Sequence, residues 1–214
     1  MKTSDCEILE TALKLFSEKG YEGTSVRDIA GRIGITQSSL YKHFSSKDEI
    51  LNGIFEEMKR RYDTAAARMN LHIDSNEGID SAEFSIMSPE MIARKVRELI
   101  EFSIDEPFVS NFRKLLTALQ FRSLAYGRMY TERYGERMVD YHRRLFASFI
   151  KQGTMKDEDP IILAIEYTSP VFYLLGIIDR EAERREECLS LIEKHVISFY
   201  KFHTEEEKCI ADTE

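Results

Sequence analysis

The feature that most constrains this chain is where it lacks proline. Its four prolines are Pro89, Pro107, Pro160 and Pro170, so no proline before residue 89 removes a backbone N–H from a helix. Strand-like alternation is hard to find. Apolar residues instead recur at helical spacing along most of the chain. Ile8, Ala12 and Phe16, with Leu9 and Leu13, share one face of a first helix that Gly20 stops. Val26, Ile29, Ala30 and Ile33 form a short second helix, with Thr24 or Ser25 as its N-cap and Gly34 as its break. Thr36 caps a very short third helix running through His43. Ser46 with Glu49 forms a capping box that opens a fourth helix, reaching about Met69. A looser stretch, Leu71 to Met87, contains Asp74-Ser75-Asn76 and Gly78. Helices are then predicted near 89–104, 107–123, 127–152, 159–180 and 184–203, followed by a frayed polar tail at 205–214. Pro170 either kinks the 159–180 helix or, with Ser169, starts a new one. The expected fold is all-α: residues 1–48 with a connecting helix 47–69, then a larger helical domain at 70–204.

Composition narrows the class. The 214 residues are 43% hydrophobic and 32% charged, which suits a soluble globular protein. Three scattered cysteines, Cys6, Cys188 and Cys209, have no metal-ligand spacing and argue against a disulfide scaffold. The first ten residues lack the apolar core of a signal peptide. The apolar run Val171 to Ile178 is far short of the roughly 20 residues that span a bilayer. A cytoplasmic location and no membrane partner are expected. The net charge of −8 suggests little affinity for polyanions, but it is unevenly placed. Between Thr24 and Lys47 four basic residues meet one acid, giving +3 and leaving −11 on the rest.

That basic segment meets the demands of a helix-turn-helix. Ala30 is small where two helices cross, and Gly34 tolerates the positive φ of a tight turn. Ile35, Leu40 and Phe44 can anchor the second helix of the pair. Gln37, Ser38, Tyr41 and Lys42 are left to point outward, the small polar ones suited to base edges and the larger ones to phosphates.

The stretches Gly23 to Ala30, Ile33-Gly34-Ile35, Leu40 to Phe44 and Lys47 to Leu51, with Ala12 to Phe16 and Gly20-Tyr21 before them, resemble the N-terminal domain of the TetR (tetracycline repressor) family of bacterial regulators. The likeness covers about residues 8–55. It implies a homodimeric DNA-binding protein whose larger domain holds an inducer pocket and whose last two helices form the dimer interface. Carried over by position, the DNA-facing set is Thr24, Ser25, Arg27, Thr36, Gln37, Ser38, Ser39, Tyr41, Lys42, His43 and Lys47. Gln37, Ser38 and Ser39 match base-reading positions. Tyr41, His43 and Lys47 match backbone-contacting ones, and Lys47 stands at a helix N-terminus that favours phosphate. Thr24 and Ser25 open the second helix, where Arg27 matches a base or phosphate contact.

The remaining sequence speaks less specifically. Ten of the 23 aromatic residues fall between Ile100 and Ile150. Most are core. The candidates for lining an apolar or aromatic ligand cavity are Met91, Phe102, Phe112, Phe121, Tyr130, Phe146 and Tyr173. Surplus apolar faces on the last two helices place Ile161, Ile165, Phe172, Ile192, Val196 and Phe199 in the expected dimer interface. No nucleophile elbow, phosphate loop or zinc motif occurs, so no enzyme activity, cofactor or metal is expected. The sequence thus points to a dimeric regulator of double-stranded DNA, acting on a two-fold symmetric operator and released by a small-molecule inducer. The competing reading is a protein-interaction or coactivator module on the same fold that no longer reads DNA.

Overall fold

The computed structural model describes residues 4–73 and 79–204, and its named elements are all helical. The tail expected at 205–214 and residues 74–78 of the expected loose stretch lie outside the described residues. The elements are α1 (Asp5–Lys19), α2 (Val26–Ile33), α3 (Gln37–Leu40), α4 (Lys47–Arg68), α5 (Ile79–Phe84), α6 (Pro89–Asp105), α7 (Pro107–Leu119), α8 (Leu124–Tyr130), a π-helical segment (Thr131–Glu136), α9 (Arg137–Gln152), α10 (Pro160–Arg180), a 3-10 turn (Ala182–Arg184) and α11 (Arg185–His203). Local signals set most of the helix starts. Ser4, Ser25, Thr36, Glu106, Ser123 and Asp159 each accept a backbone N–H in the first turn of the following helix. Pro107 and Pro160 occupy first-turn positions, where a missing N–H costs nothing.

Three expectations are corrected. The helix predicted over 107–123 stops at Leu119. The one predicted over 127–152 starts at Leu124 and is interrupted by the π-helical segment. The short helix α5 was not foreseen. Pro170 resolves the other way from a new start: α10 runs through it as one helix. Just before the proline, the Thr168 and Ser169 hydroxyls donate to the carbonyls of Ala164 and Ile165 at 2.7 Å each. This helix is also long and apolar enough to cross a membrane, but half of its most apolar window is buried inside the chain.

The chain forms two compact units, one of Met1–Arg68 with Glu101–Thr131 and one of Met69–Ile100 with Glu132–Glu214. In the first, α1 packs on α2, α4 and α7, and α8 packs on α7. Ile8, Leu13, Phe16, Ile29, Leu40 and Ile54 are among its fully buried side chains. The α1–α4 crossing is close at Gly53, where an added Cβ would stand 2.9 Å from Leu9 Cδ2 and 3.1 Å from Phe44 Cε1. Farther along α4, Phe55 meets the buried Phe112 of α7 with ring centroids 5.9 Å apart. In the second unit, α10 lies against α9 and α11, while α5 packs on α9. Its centre is aromatic: Phe146 is fully buried among His142, Phe149, Tyr167, Phe199 and Tyr200.

Candidate nucleic-acid interface

The turn between α2 and α3 follows directly from its residues. Ser25 and Asp28 close a reciprocal capping box at the start of α2. Gly34 ends it at φ 82° and ψ 28°, the left-handed region, and its N–H donates to the Ala30 carbonyl at 3.0 Å. Ile35 N–H donates to the same carbonyl, so the chain reverses within two residues. Thr36 then accepts from Ser39 N–H and opens α3. Leu40, fully buried, pins α3 to the core. Beyond it the helix tightens: Lys42 and His43 donate three residues back, to Ser39 and Leu40. The third helix was expected to run through His43, but its α-helical part ends at Leu40.

Around that single anchor the polar side chains face outward. Arg27, Thr36, Gln37, Ser38, Lys42 and His43 are exposed, Ser39 is half-buried, and Tyr41 is 45% exposed. Gln37 Nε2 donates to the Tyr41 hydroxyl at 3.3 Å, one helical turn away. The hydroxyls of Ser38 and Ser39 lie 3.0 and 2.8 Å from Thr36 Oγ1. The row therefore presents amide, hydroxyl and phenol groups on a short, locally braced surface. His43 Nδ1 sits 2.6 Å from the Asp5 carboxylate, which ties the end of this row to α1.

Thr24 is placed otherwise than expected. It is 1% exposed, and its hydroxyl donates to the carbonyls of Leu15 and Gly20. It seals the end of α1 rather than facing a ligand. Ser25 is exposed but spends its hydroxyl on Asp28. Lys47 is half-buried: its ammonium donates to the Tyr21 carbonyl at 2.9 Å and lies 4.2 Å from the centroid of the Tyr21 ring.

The sequence reading missed the corner behind Lys47. Asp48 Oδ1 accepts from the Tyr21 hydroxyl at 2.5 Å and from the Tyr126 hydroxyl of α8 at 3.0 Å. The Tyr21 bond and then the Tyr126 bond hold the Asp48 carboxyl below the usual range. Burial and the Asp48 bond push the Tyr21 phenol up. A second cluster centres on Arg61 of α4. Its guanidinium donates to Glu57 at 2.7 Å, Glu10 at 2.6 Å and Glu106 at 2.9 Å and lies over the Phe108 ring. Neither cluster has a local sequence signature, because Tyr126 stands 78 positions from Asp48 and Glu106 stands 45 from Arg61.

The ligand-cavity candidates fall in both units. Phe102, Phe112, Phe121 and Tyr130 belong to the first unit, whereas Met91, Phe146 and Tyr173 belong to the second. Phe112 and Phe146 are fully buried core residues. Phe121, Tyr173 and Met91 are 93%, 67% and 45% exposed, so none of the three is enclosed within this chain. Phe102 packs on Tyr62, with ring centroids 6.5 Å apart, and Tyr130 is half-buried. The second unit does contain a cleft of about 750 Å³ between α5, the start of α6 and the ends of α9 and α11. None of the seven candidates lines it.

The interface candidates divide as well. Ile192, Val196 and Phe199 are buried inside the second unit and complete its own core. On α10, Ile165 is exposed, and Ile161 and Phe172 are half-buried. The exposed Ile162 and Tyr173 fall on the same stretch. On α11 the exposed apolar residues are Leu191 and Phe202, which the reading had not singled out.

Residues 8–54 match the family model of bacterial regulatory proteins, tetR family. The chain is 38% identical to the HTH-type transcriptional repressor KstR2 of Rhodococcus jostii (strain RHA1), over 37% of this chain and 45% of that protein. Its matches to curated relatives thus span less than two thirds of their length. Among solved structures, a TetR-family transcriptional regulator from Mesorhizobium loti MAFF303099 superimposes with a TM-score of 0.71 at 22% identity, covering 94% of this chain and 96% of that one. The SmeT–triclosan complex gives a TM-score of 0.69 at 18% identity, covering 95% and 92%. Residues 8–54 thus carry the helix-turn-helix of the tetR family of bacterial regulatory proteins, and the fold of the chain is that of the solved structures it resembles.

Proposed function

We propose that the chain is a cytoplasmic, sequence-specific transcriptional repressor, not an enzyme, that binds a two-fold symmetric DNA site as a homodimer and leaves it when a small molecule binds. The observation that carries this is the exposed row Gln37, Ser38, Tyr41 and Lys42, held by one buried leucine behind a left-handed glycine turn. Gln37 and Ser38 read base edges from the first turn of α3, and Tyr41, Lys42 and Arg27 hold phosphates on either side. Lys47 serves the backbone from a fixed position, since the Tyr21 carbonyl and ring orient its ammonium. Residues 1–48 form the DNA-reading part, α4 connects it, and 70–204 senses and dimerises.

The apolar face of α10, with Ile162, Ile165, Phe172 and Tyr173, supports burial against a second copy. Two copies would set their recognition helices one DNA turn apart, about 34 Å, for successive major grooves. A ligand acts by favouring a dimer in which that spacing or orientation is wrong, and linkage then requires DNA to weaken ligand binding by the same factor.

Titrating the full chain against palindromic and scrambled duplexes at physiological salt tests the reading. The expected result is a preference of about a thousandfold or more for one two-fold symmetric site. Equal affinity for all duplexes would overturn it.

A further inference from the structure

We propose that the cleft of the second unit is a binding site for a small amphipathic ammonium compound, one with an aromatic or alicyclic body and a protonated amine. The cleft, about 750 Å³, lies within the volume range of small-molecule sites, roughly 300–1,000 Å³. Its floor is apolar and fixed: Phe84, Ile92, Phe149 and Met155 line it and are each at most 6% exposed. These side chains come from α5, α6, α9 and the segment after it, so the space is built by several elements rather than by one loop.

Three hydroxyls of the lining share one direction of hydrogen bonding. Ser85 donates its hydroxyl hydrogen to the Ala82 carbonyl at 3.0 Å, Thr154 to Phe149 at 3.1 Å and Thr204 to Tyr200 at 2.8 Å. Each of these hydroxyls therefore offers only an acceptor to a guest. Among the described lining residues Asp157 is the charged one, and it too only accepts. Two cations of the surrounding segments are engaged elsewhere. Lys156 donates to the Phe202 carbonyl over the Phe202 ring, and Lys201 pairs with Glu90 at 2.9 Å.

Tyr200 also lines the cleft, at only 4% exposure. A carboxylate guest would meet Asp157 and three acceptors. An ammonium guest would meet the same groups with the right sign, and the rings of Phe84, Phe149 and Tyr200 favour a cation nearby. Assigning this guest as the inducer rests on the ligand-responsive reading above; its binding chemistry does not.

Calorimetric titration of the full chain tests the site with three probes of similar shape: phenethylammonium, 2-phenylethanol and 3-phenylpropionate. Phenethylammonium should bind about tenfold tighter than the carboxylate, with the alcohol between them. Asp157→Asn, at an exposed position, should reduce the ammonium preference about three- to fivefold and leave the alcohol unchanged. Thr154→Trp, also exposed, should block all three. Carboxylate binding equal to ammonium binding, or wild-type affinities in Asp157→Asn and Thr154→Trp, would overturn the proposal. The same variants should bind DNA as the wild type does, since none touches α2, α3 or Lys47. Failure of the wild-type chain to prefer any duplex would break the regulator reading while leaving the cleft result standing.

Discussion

The two compact units are held together by different physics. In the first, short-range rules carry much of the structure. Ser25 answers Asp28 three residues on, Thr36 answers Ser39, and Gly34 turns the chain where a side chain would strain it. In the second, a knot of rings carries it. Phe146 touches His142 and Phe149 from its own helix, Tyr167 from α10 and Phe199 and Tyr200 from α11. A unit built from local rules can recur with nearly the same spacing in distant sequences. A unit built from nonlocal packing is free to change its rings, and with them any cavity between its helices. That difference accounts for a family match confined to residues 8–54 while the fold likeness covers nearly the whole chain.

The largest effect should come from the ring knot. Phe146→Ala removes a fully buried side chain with ring neighbours on three helices and should cost about 3–5 kcal/mol. Removing the α3 cap by Thr36→Ala should cost only about 1 kcal/mol. Denaturant unfolding measures both, and hydrogen exchange shows where protection is lost. A loss below about 1.5 kcal/mol for Phe146→Ala would mean that the second unit does not depend on its rings.

The same contrast explains what could be read in advance. Gly34, Leu40 and the outward row of α3 were legible because each obeys a rule spanning four residues or fewer. Lys47 was legible as a position but not in its geometry, because its carbonyl partner is Tyr21, 26 residues earlier. Thr24 was misread because threonine at a helix start usually faces solvent; here two carbonyls of α1 and its stop draw it inside. Helix α5 escaped notice because six residues show little periodicity. Its Asp80 is instead held by the His72 ring and N–H and by the Tyr141 hydroxyl, 61 positions away. For the last two helices, composition announced surplus apolar surface but not its direction. Val196 and Phe199 turned inward, whereas Ile162 and Tyr173 turned outward.

Acid should separate the units next. Burial pushes His142 down to about 4 from 6.5, so the folded unit keeps it neutral where the unfolded chain takes up a proton. Its contribution is complete above pH 6.5 and is lost as pH falls to about 4, amounting at most to roughly 3 kcal/mol. In the first unit, Arg60 and Arg61 hold the Glu57 carboxyl down at about 2 from 4.5. That contribution survives until pH falls below 4.5 and disappears toward 2. Unfolding followed at pH 7.5, 6 and 4.5 should therefore show a loss that His142→Gln flattens and Glu57→Gln does not. A wild-type slope in His142→Gln would assign the acid sensitivity to other groups.

The smallest effect tests a nonlocal polar junction beside the DNA-facing row. Tyr126→Phe deletes a single 3.0 Å bond to Asp48 and leaves the shorter Tyr21 bond in place, so stability should fall by about 1 kcal/mol. Asp48→Asn weakens both phenol bonds at once. In that background Tyr126→Phe should cost little more, because the two share one acceptor oxygen. Duplex binding adds a second readout. Lys47 keeps its Tyr21 carbonyl in Tyr126→Phe, so DNA affinity should change less than about threefold, whereas Lys47→Ala should lower it for all sequences and reduce its salt dependence. If Tyr126→Phe weakens DNA binding as much as Lys47→Ala, the contrast between a locally built reading head and nonlocal packing is too sharp. Part of the reading head would then be held in place from α8, a helix that follows it by more than seventy residues.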